Sequence, residues 1–278
     1  MPSKINLVTI MNILDKILAG KKLEVEENKL NVPVQHLEKK EFFSRAVISL
    51  RKNLLDIHST GIIAEFKRQS PSKGVINANA DVVKVTRAYA DNGAAALSVL
   101  TDKTFFGGSN ADLERTRINT IPILRKDFII DEYQVLEAKA IGADVILLIA
   151  ACLTPADVKR LASFAKTLHL EVLLEIHNEE ELKHICDECD VVGVNNRDLK
   201  YFTVDINRSL ELAEKIPAEK VKISESGITG TETIHRLRSA GFRGFLIGEN
   251  FMREPDPAIA FATFVKHLKN PFTAVKEK

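Results

Sequence analysis

The chain has 278 residues, a length that fits one large α/β barrel or two small domains. Lys and Arg number 39 against 38 Asp and Glu, and the resulting net charge of +1 excludes the basic footprint of a nucleic-acid binder. No apolar run reaches the roughly 18 residues of a membrane span.

The first sixty residues differ from the rest. The N-terminal stretch is interrupted by Asn6, Asn12 and Asp15 and lacks a small-residue cleavage site, so no secretory signal is expected. Three cysteines in so long a chain make no disulfide framework and suit a reducing, cytoplasmic location. Residues 11–29 read as an amphipathic helix with Ile13, Leu14, Ile17 and Leu18 on one side, and residues 42–50 suggest a second short helix. Such an extension would either cover the N-terminal end of a barrel or contribute to its active rim.

From residue 61 onward a short apolar run, a polar loop and a helical segment alternate. The apolar runs cover residues 62–66, 95–100, 121–124, 145–150, 172–176, 191–194, 221–224 and 245–248. Each is nearly continuous in hydrophobicity, as parallel strands buried on both faces are. Helix starts separate them. Thr154-Pro155-Ala156-Asp157 supplies an N-cap, a first-turn proline and a carboxylate, while Asp131…Gln134, Ser109…Asp112 and Thr229…Glu232 resemble capping boxes. Asn178 precedes three glutamates. After Thr154, residues Val158, Leu161, Ala162, Ala165 and Leu168 share one helical face. Gly142, Gly193 and Gly241 mark helix-to-strand turns or strand entries.

Eight such units at an average period of roughly 25 residues predict a closed (β/α)8 TIM barrel, not an open doubly wound sheet. The expectation is one α/β domain over residues 1–278, with residues 1–60 as an N-terminal helical extension. No G-x-G-x-x-G follows the first strand, which removes the main support for dinucleotide binding.

Catalytic groups of such barrels lie at the C-terminal strand ends. The first strand ends Glu65-Phe66-Lys67, with Glu65 and Lys67 on one face. The third ends Leu124-Arg125-Lys126-Asp127-Phe128, which puts Lys126 and Phe128 on the side of Leu124. The fifth ends in Glu175, the sixth in Asn195-Asn196-Arg197, and the seventh in Ser224-Glu225-Ser226. Buried charge is costly unless paired, so a rim collecting three glutamates, two lysines, an asparagine and an arginine has a chemical reason to do so. The loops after strands seven and eight, Ser226-Gly227-Ile228-Thr229-Gly230 and Gly248-Glu249-Asn250, offer small residues and backbone N–H groups that suit a phosphate. The loop after strand one, Gln69-Ser70-Pro71-Ser72-Lys73-Gly74, reads as a flap over the site.

Cys186-Asp187-Glu188-Cys189, with His184 nearby, lacks the second ligand pair of a zinc site and is assigned to the helix after strand five, away from the rim. No metal site is expected. His36, His58, His169, His177 and His235 have no partner spacing, and only His177 comes near the rim.

Read together, these segments resemble indole-3-glycerol-phosphate synthases. The matching stretches are residues 64–72, 97–101, 105–109, 122–128, 173–175, 193–199 and 224–228, in that order, within a resemblance running from about Ile13 to Met252. Loop eight departs from the family, which more often has Ser or Thr where this chain has Asn250. The resemblance implies conversion of 1-(2-carboxyphenylamino)-1-deoxyribulose 5-phosphate to indole-3-glycerol phosphate, with loss of carbon dioxide and water. It implies no cofactor, no nucleic-acid or membrane partner, and a monomer acting on a small molecule. The roles it implies are Lys126 as general acid, Glu175 as general base, and Glu65 with Lys67 in the dehydration. Ser70, Asn195 and Arg197 would orient the substrate, Phe106 and Phe128 would wall its ring, and Glu225 would position a lysine or hydroxyl. Ser226, Gly227, Gly248 and Glu249 would hold the phosphate through backbone groups. The alternatives are a Schiff-base aldolase, a phosphoribosyl isomerase and a silent sugar-phosphate sensor. The strand-one Cys or Asp of the isomerase is missing, since this strand offers Glu65 and Lys67, and the costly charges at the rim argue against the sensor.

Overall fold

All eight apolar runs become strands, because each is buried on both faces and so has no need of a polar side. In the computed structural model, which describes residues 13–198 and 201–270, these are β1 (Ile62–Phe66), β2 (Ala96–Leu100), β3 (Ile123–Lys126), β4 (Val145–Ile149), β5 (Glu171–Ile176), β6 (Val191–Asn195), β7 (Val221–Glu225) and β8 (Gly244–Ile247). They pair in parallel in chain order, and β8 closes on β1 with Ile62 opposite Phe245, making a (β/α)8 barrel. The third strand starts two residues later than its hydrophobicity predicts, since Pro122 has no N–H for the ladder. It also runs on to Lys126, whose carbonyl accepts from Thr101 N at 3.1 Å. Among the described residues no helix is long and apolar enough to cross a membrane.

The period of two divides each strand between two cores. Ile62, Ala64 and Phe66 face the surrounding helices, whereas Ile63 joins Leu124, Leu147, Leu173, Ile223 and Leu246 inside the barrel. The inner cluster also contains Leu50 and Leu54, both on helix α2 (Leu50–Leu55) of the N-terminal extension. That helix therefore plugs the N-terminal mouth. Helix α1 (Ile13–Asn31) lies at the opposite end, where Ile13, Leu14 and Ile17 line the rim cavity. The extension does both things that its sequence allowed.

Several local expectations need correction. Residues 42–50 do not form a helix: turns occupy 41–44, and α2 begins only at Leu50, where the Ser49 side chain accepts from Lys52 N. The preceding segment instead ties the barrel bottom, with Ile48 N and Arg45 Nη2 both donating to Asp144 Oδ1. In α1 the fully buried residues are Ile17, Lys21 and Val25; of the predicted apolar side only Ile17 is fully buried, while Ile13, Leu14 and Leu18 are half-buried. Residues 11 and 12 of that predicted helix, and residue 199 of the matching segment 193–199, lie outside the described residues. Thr154 and Asp131 form full capping boxes, and Ser109 and Asn178 accept the expected backbone bonds. The Thr229 expectation fails, because Gly230 is the N-cap and makes no side-chain bond. Gly193 sits within β6, not in a turn. Cys186 and Cys189 follow a short 3-10 turn (Glu179–His184) and lie outside any helix, with sulfurs 3.5 Å apart.

Candidate active site

The strand ends converge as their sequence order implies. One cavity at the C-terminal rim is lined by Glu65, Lys67, Ser70, Phe106, Lys126, Phe128, Glu175, Asn195, Arg197 and Glu225, so every rim side chain singled out in the sequence meets there. Ser226 and Glu249 line it too, and with Gly227 and Gly248 they form an adjoining hollow that shares Lys67 and Arg197. The loop after β1 folds into a two-stranded ribbon, Gln69–Ser70 against Gly74–Val75, which brings Ser70, Pro71 and Ser72 to the cavity wall.

Two lysine–carboxylate pairs face the cavity. Lys67 Nζ lies 2.7 Å from Glu65 Oε1, and Lys126 Nζ lies 3.3 Å from Glu175 Oε2. Asn195 Nδ2 donates to Glu175 Oε1 at 3.1 Å, and Asn195 Oδ1 accepts from Arg197 N at 3.0 Å. The Arg197 guanidinium then reaches Glu249 Oε2 at 3.3 Å, while Lys73 approaches Glu249 Oε1 at 3.6 Å. Phe106 and Phe128 stand with ring centroids 6.0 Å apart and make an apolar wall.

Burial would neutralise each of these groups singly, but their partners decide the charge state. Burial pulls Lys126 down, yet Glu175, Glu225 and Glu65 outweigh it and hold the amine above the ordinary lysine range. For Glu175, Lys126 and His177 overcome burial and depress the carboxyl. Glu65 is likewise held below the usual carboxylate value, since Lys67 and Lys126 exceed its desolvation. Glu225 goes the other way: burial and the neighbouring Glu175 charge raise it, and its Oε1 has no hydrogen-bond partner. Two carboxyls side by side are thus pushed apart, Glu175 toward the anion and Glu225 toward the acid.

The adjoining hollow depends on unusual backbone. Ser226 and Gly227 both have positive φ, 66° and 77°, which turns successive amides in the loop after β7. Gly248 admits Glu65, since a Cβ there would lie 2.7 Å from Glu65 Oε1. Among the described residues no group of three or more His, Cys, Asp or Glu is arranged to hold a metal.

The sequence reading missed Lys21 and placed His177 only near the rim. Lys21, in a helix otherwise rich in solvated charge, is 1 % exposed and paired with Asp127 and Asp102. His177 is buried beside Glu175, with Nε2 3.2 Å from Glu175 Oε1. Its place two residues past Glu175 on an alternating strand was the only available signal.

Comparison with known proteins agrees with this geometry. The family model for indole-3-glycerol phosphate synthase matches residues 14–264. A protein of that name from Bacteroides thetaiotaomicron is 47 % identical over 259 residues, covering 93 % of this chain and 99 % of its own. The Koribacter versatilis protein of the same name is 51 % identical over 199 residues, 71 % of this chain and 76 % of its own. The Campylobacter jejuni strain RM1221 counterpart is 45 % identical over 250 residues, 88 % of this chain and 96 % of its own. With the barrel, the rim and these matches in hand, the chain belongs to the indole-3-glycerol phosphate synthase family.

Proposed function

We propose that this chain closes the indole ring of 1-(2-carboxyphenylamino)-1-deoxyribulose 5-phosphate by dividing the work between two lysine–carboxylate pairs and a separate phosphate anchor. The activity is that of its family, a carboxy-lyase step in tryptophan biosynthesis. The observation that carries the division of labour is the convergence of Lys126–Glu175 and Lys67–Glu65 on one cavity.

On this reading the phosphate rests on backbone groups of Ser226, Gly227, Gly248 and Glu249, beside Lys67 and Arg197. The carboxyphenyl ring lies against Phe106 and Phe128, and Ser70, Asn195 and Arg197 orient its carboxylate and the sugar hydroxyls. Lys126 gives its proton to the ketone oxygen as the aromatic carbon attacks, so that the developing alkoxide never stands uncompensated. Carbon dioxide leaves and restores aromaticity. Glu175 then removes the proton whose loss drives dehydration, and Glu65 with Lys67 assists departure of the hydroxyl. Glu225 sits against the Lys126–Glu175 pair and positions it. The same electrostatics argue against a Schiff base, which needs an unprotonated amine. The Glu175 and Glu65 carboxylates keep Lys126 a cation.

We read residues 1–278 as one domain with residues 1–60 as its extension, because α1 and α2 complete opposite ends of the barrel. The test is to supply the carboxyphenylamino-deoxyribulose phosphate and follow indole fluorescence. The chain has no tryptophan, so the product signal carries no protein indole background. A folded protein that gives no signal refutes the reading.

A further inference from the structure

His177 is a side chain that the scheme above leaves without a task. It follows Glu175 by two residues, so both point to the same side of the chain as it leaves β5. Its ring is 7 % exposed and lies between two carboxylates. On one side Nδ1 is 3.2 Å from Glu181 Oε2, the oxygen that also accepts the His177 backbone N–H at 2.6 Å. On the other, Nε2 is 3.2 Å from Glu175 Oε1. Glu181 is itself fixed, since Asn178 Oδ1 accepts from its N–H and Asn178 Nδ2 donates to its Oε1.

A neutral imidazole cannot satisfy this setting. With both nitrogens facing carboxylate oxygens, either tautomer would direct one lone pair at an anion. Only the imidazolium offers a proton to each side. The Nε2–Oε1 approach lacks hydrogen-bond alignment, so His177 acts on Glu175 chiefly as a neighbouring positive charge.

That charge falls on one member of a carboxyl pair. Glu175 is faced by Lys126 from β3, Asn195 from β6, and Glu225 from β7, with Cys152 also within electrostatic reach, while Glu65 acts on Lys126 and Glu225. Lys126 pairs with Glu175 at 3.3 Å but also faces Glu225 and Glu65, so its charge is divided among three carboxyls. His177 touches Glu175 and not Glu225.

We propose that His177 is a positioning residue for the reaction, an imidazolium that keeps the negative charge on Glu175 and leaves the shared proton to Glu225. The inference rests on the reading of Glu175 as the general base. Its electrostatics are consistent: burial opposes the charge on His177, but Glu175 and Glu181 overcome it and lift the imidazole to about 9. As pH falls Glu175 therefore stays ionised, and the cation strengthens its hold.

Two measurements separate this role from a structural one. In protein labelled with 15N-histidine, the resonance missing from His177→Gln should titrate near pH 9, and it should fall by at least one pH unit in Glu175→Gln. Titration of that resonance at the ordinary histidine value would overturn the proposal, whatever Glu175 does in catalysis. In His177→Gln the acid limb of the kcat–pH profile should move up by about one unit, with the KM for the carboxyphenylamino-deoxyribulose phosphate within twofold of wild type. A fall in kcat of the same size at every pH, with the limb unmoved, would mark His177 as structural and also overturn it. Full activity in Glu175→Gln would instead remove the general-base reading, while the histidine titration still reported on the contact itself.

Discussion

Lys21 Nζ lies 2.9 Å from Asp127 Oδ1, and this buried ion pair joins the N-terminal extension to the residue next to the rim lysine Lys126. The same ammonium reaches Asp102 Oδ2 at 3.2 Å. Both aspartates are hinges for the apolar wall: Asp102 Oδ1 accepts the amides of Phe105 and Phe106, and Asp127 Oδ1 accepts the amide of Phe128. Asp127 Oδ2 in turn takes Thr101 Oγ1 at 2.5 Å and Arg125 Nη2 at 3.4 Å. One cation of α1 thus holds both rings of the wall. Lys21→Met would leave two buried carboxylates short of charge, and the expected cost is about 3–5 kcal/mol at neutral pH, measured by urea unfolding. The wall should also loosen, raising KM more than it lowers kcat. A variant as stable as wild type would show that the pair is not coupled to folding.

The same pair predicts how that loss depends on pH. Burial pushes Asp127 up, but Lys21 and Arg125 outweigh it and depress the folded-state value. A depressed carboxyl contributes stability that is present above its unfolded pKa and lost as pH falls through its folded one. For Lys21 the folded value is raised, because Asp127, Asp102 and Glu24 exceed its desolvation, so its contribution is complete below the unfolded lysine pKa. Between about pH 6 and 9 neither group titrates, and the deficit of Lys21→Met should be constant. Toward acid pH the less depressed Asp127 of the variant binds a proton in the folded state, and the deficit should shrink. Parallel unfolding curves at pH 7 and pH 4 check this, and a deficit that grows at pH 4 would contradict it.

Lys126 carries the most direct catalytic expectation. Lys126→Met keeps the apolar length but removes the proton at the ketone oxygen, and kcat should fall by about 10²–10⁴-fold. Product fluorescence with saturating substrate reads this directly. Ring closure at the wild-type rate would reassign the acid.

The barrel and its rim were legible in the chain because both follow from short-range rules. Apolar runs such as 145–149 can be buried only as inner strands, and the period of two then fixes that Glu65 and Lys67 share a face. What was not legible depends on distant partners. Lys21 belongs to a helix in which Lys16, Lys22, Glu26 and Glu27 are exposed, and only the fold reveals that Asp102 and Asp127 meet it. The segment 42–50 has helical composition, but Arg45 and Ile48 are committed to Asp144, nearly a hundred residues away. Likewise, the spacing of two aligns His177 with Glu175, but only the fold shows that Glu181 closes on its other nitrogen.

The phosphate hollow should respond to backbone geometry more than to side-chain charge. Gly227 has φ of 77°, and a Cβ there would lie 2.5 Å from Val204 Cγ1. Gly227→Ala therefore has to turn the peptide or displace the 204 loop, at a cost of about 1–2 kcal/mol for the left-handed backbone alone. If the amides around Ser226 and Gly227 hold the phosphate, KM should rise about tenfold, the equivalent of 1.4 kcal/mol, with kcat little changed. Inorganic phosphate should lose potency as an inhibitor in parallel. An unchanged KM in a folded Gly227→Ala protein would move the phosphate elsewhere on the rim.

Gly193 gives the sharpest test of Glu225, because it is the floor on which that carboxyl rests. A Cβ at position 193 would lie 2.4 Å from Glu225 Oε1, with Leu173 Cδ1 and Ile223 Cγ1 at 3.2 and 3.3 Å closing the other sides. The strand around it cannot yield, since β6 is paired on both edges, with β5 and with β7. The flexible atom is the carboxylate, so Gly193→Ala should push Glu225 toward the cavity and away from its buried seat. Overpacking of this size costs about 1–3 kcal/mol, which a barrel of this length should survive as a folded protein. Less burial and a longer distance from Glu175 both favour the ionised form of Glu225, so its folded pKa should drop toward the ordinary carboxylate value. A second anion would then compete for Lys126, and kcat should fall by about ten- to a hundredfold while phosphate inhibition stays as in wild type. Thermal unfolding and phosphate inhibition together report whether the fold and the anchor survive. If both survive and kcat is unchanged, the seat of Glu225 over Gly193 has no part in setting the Lys126–Glu175 pair.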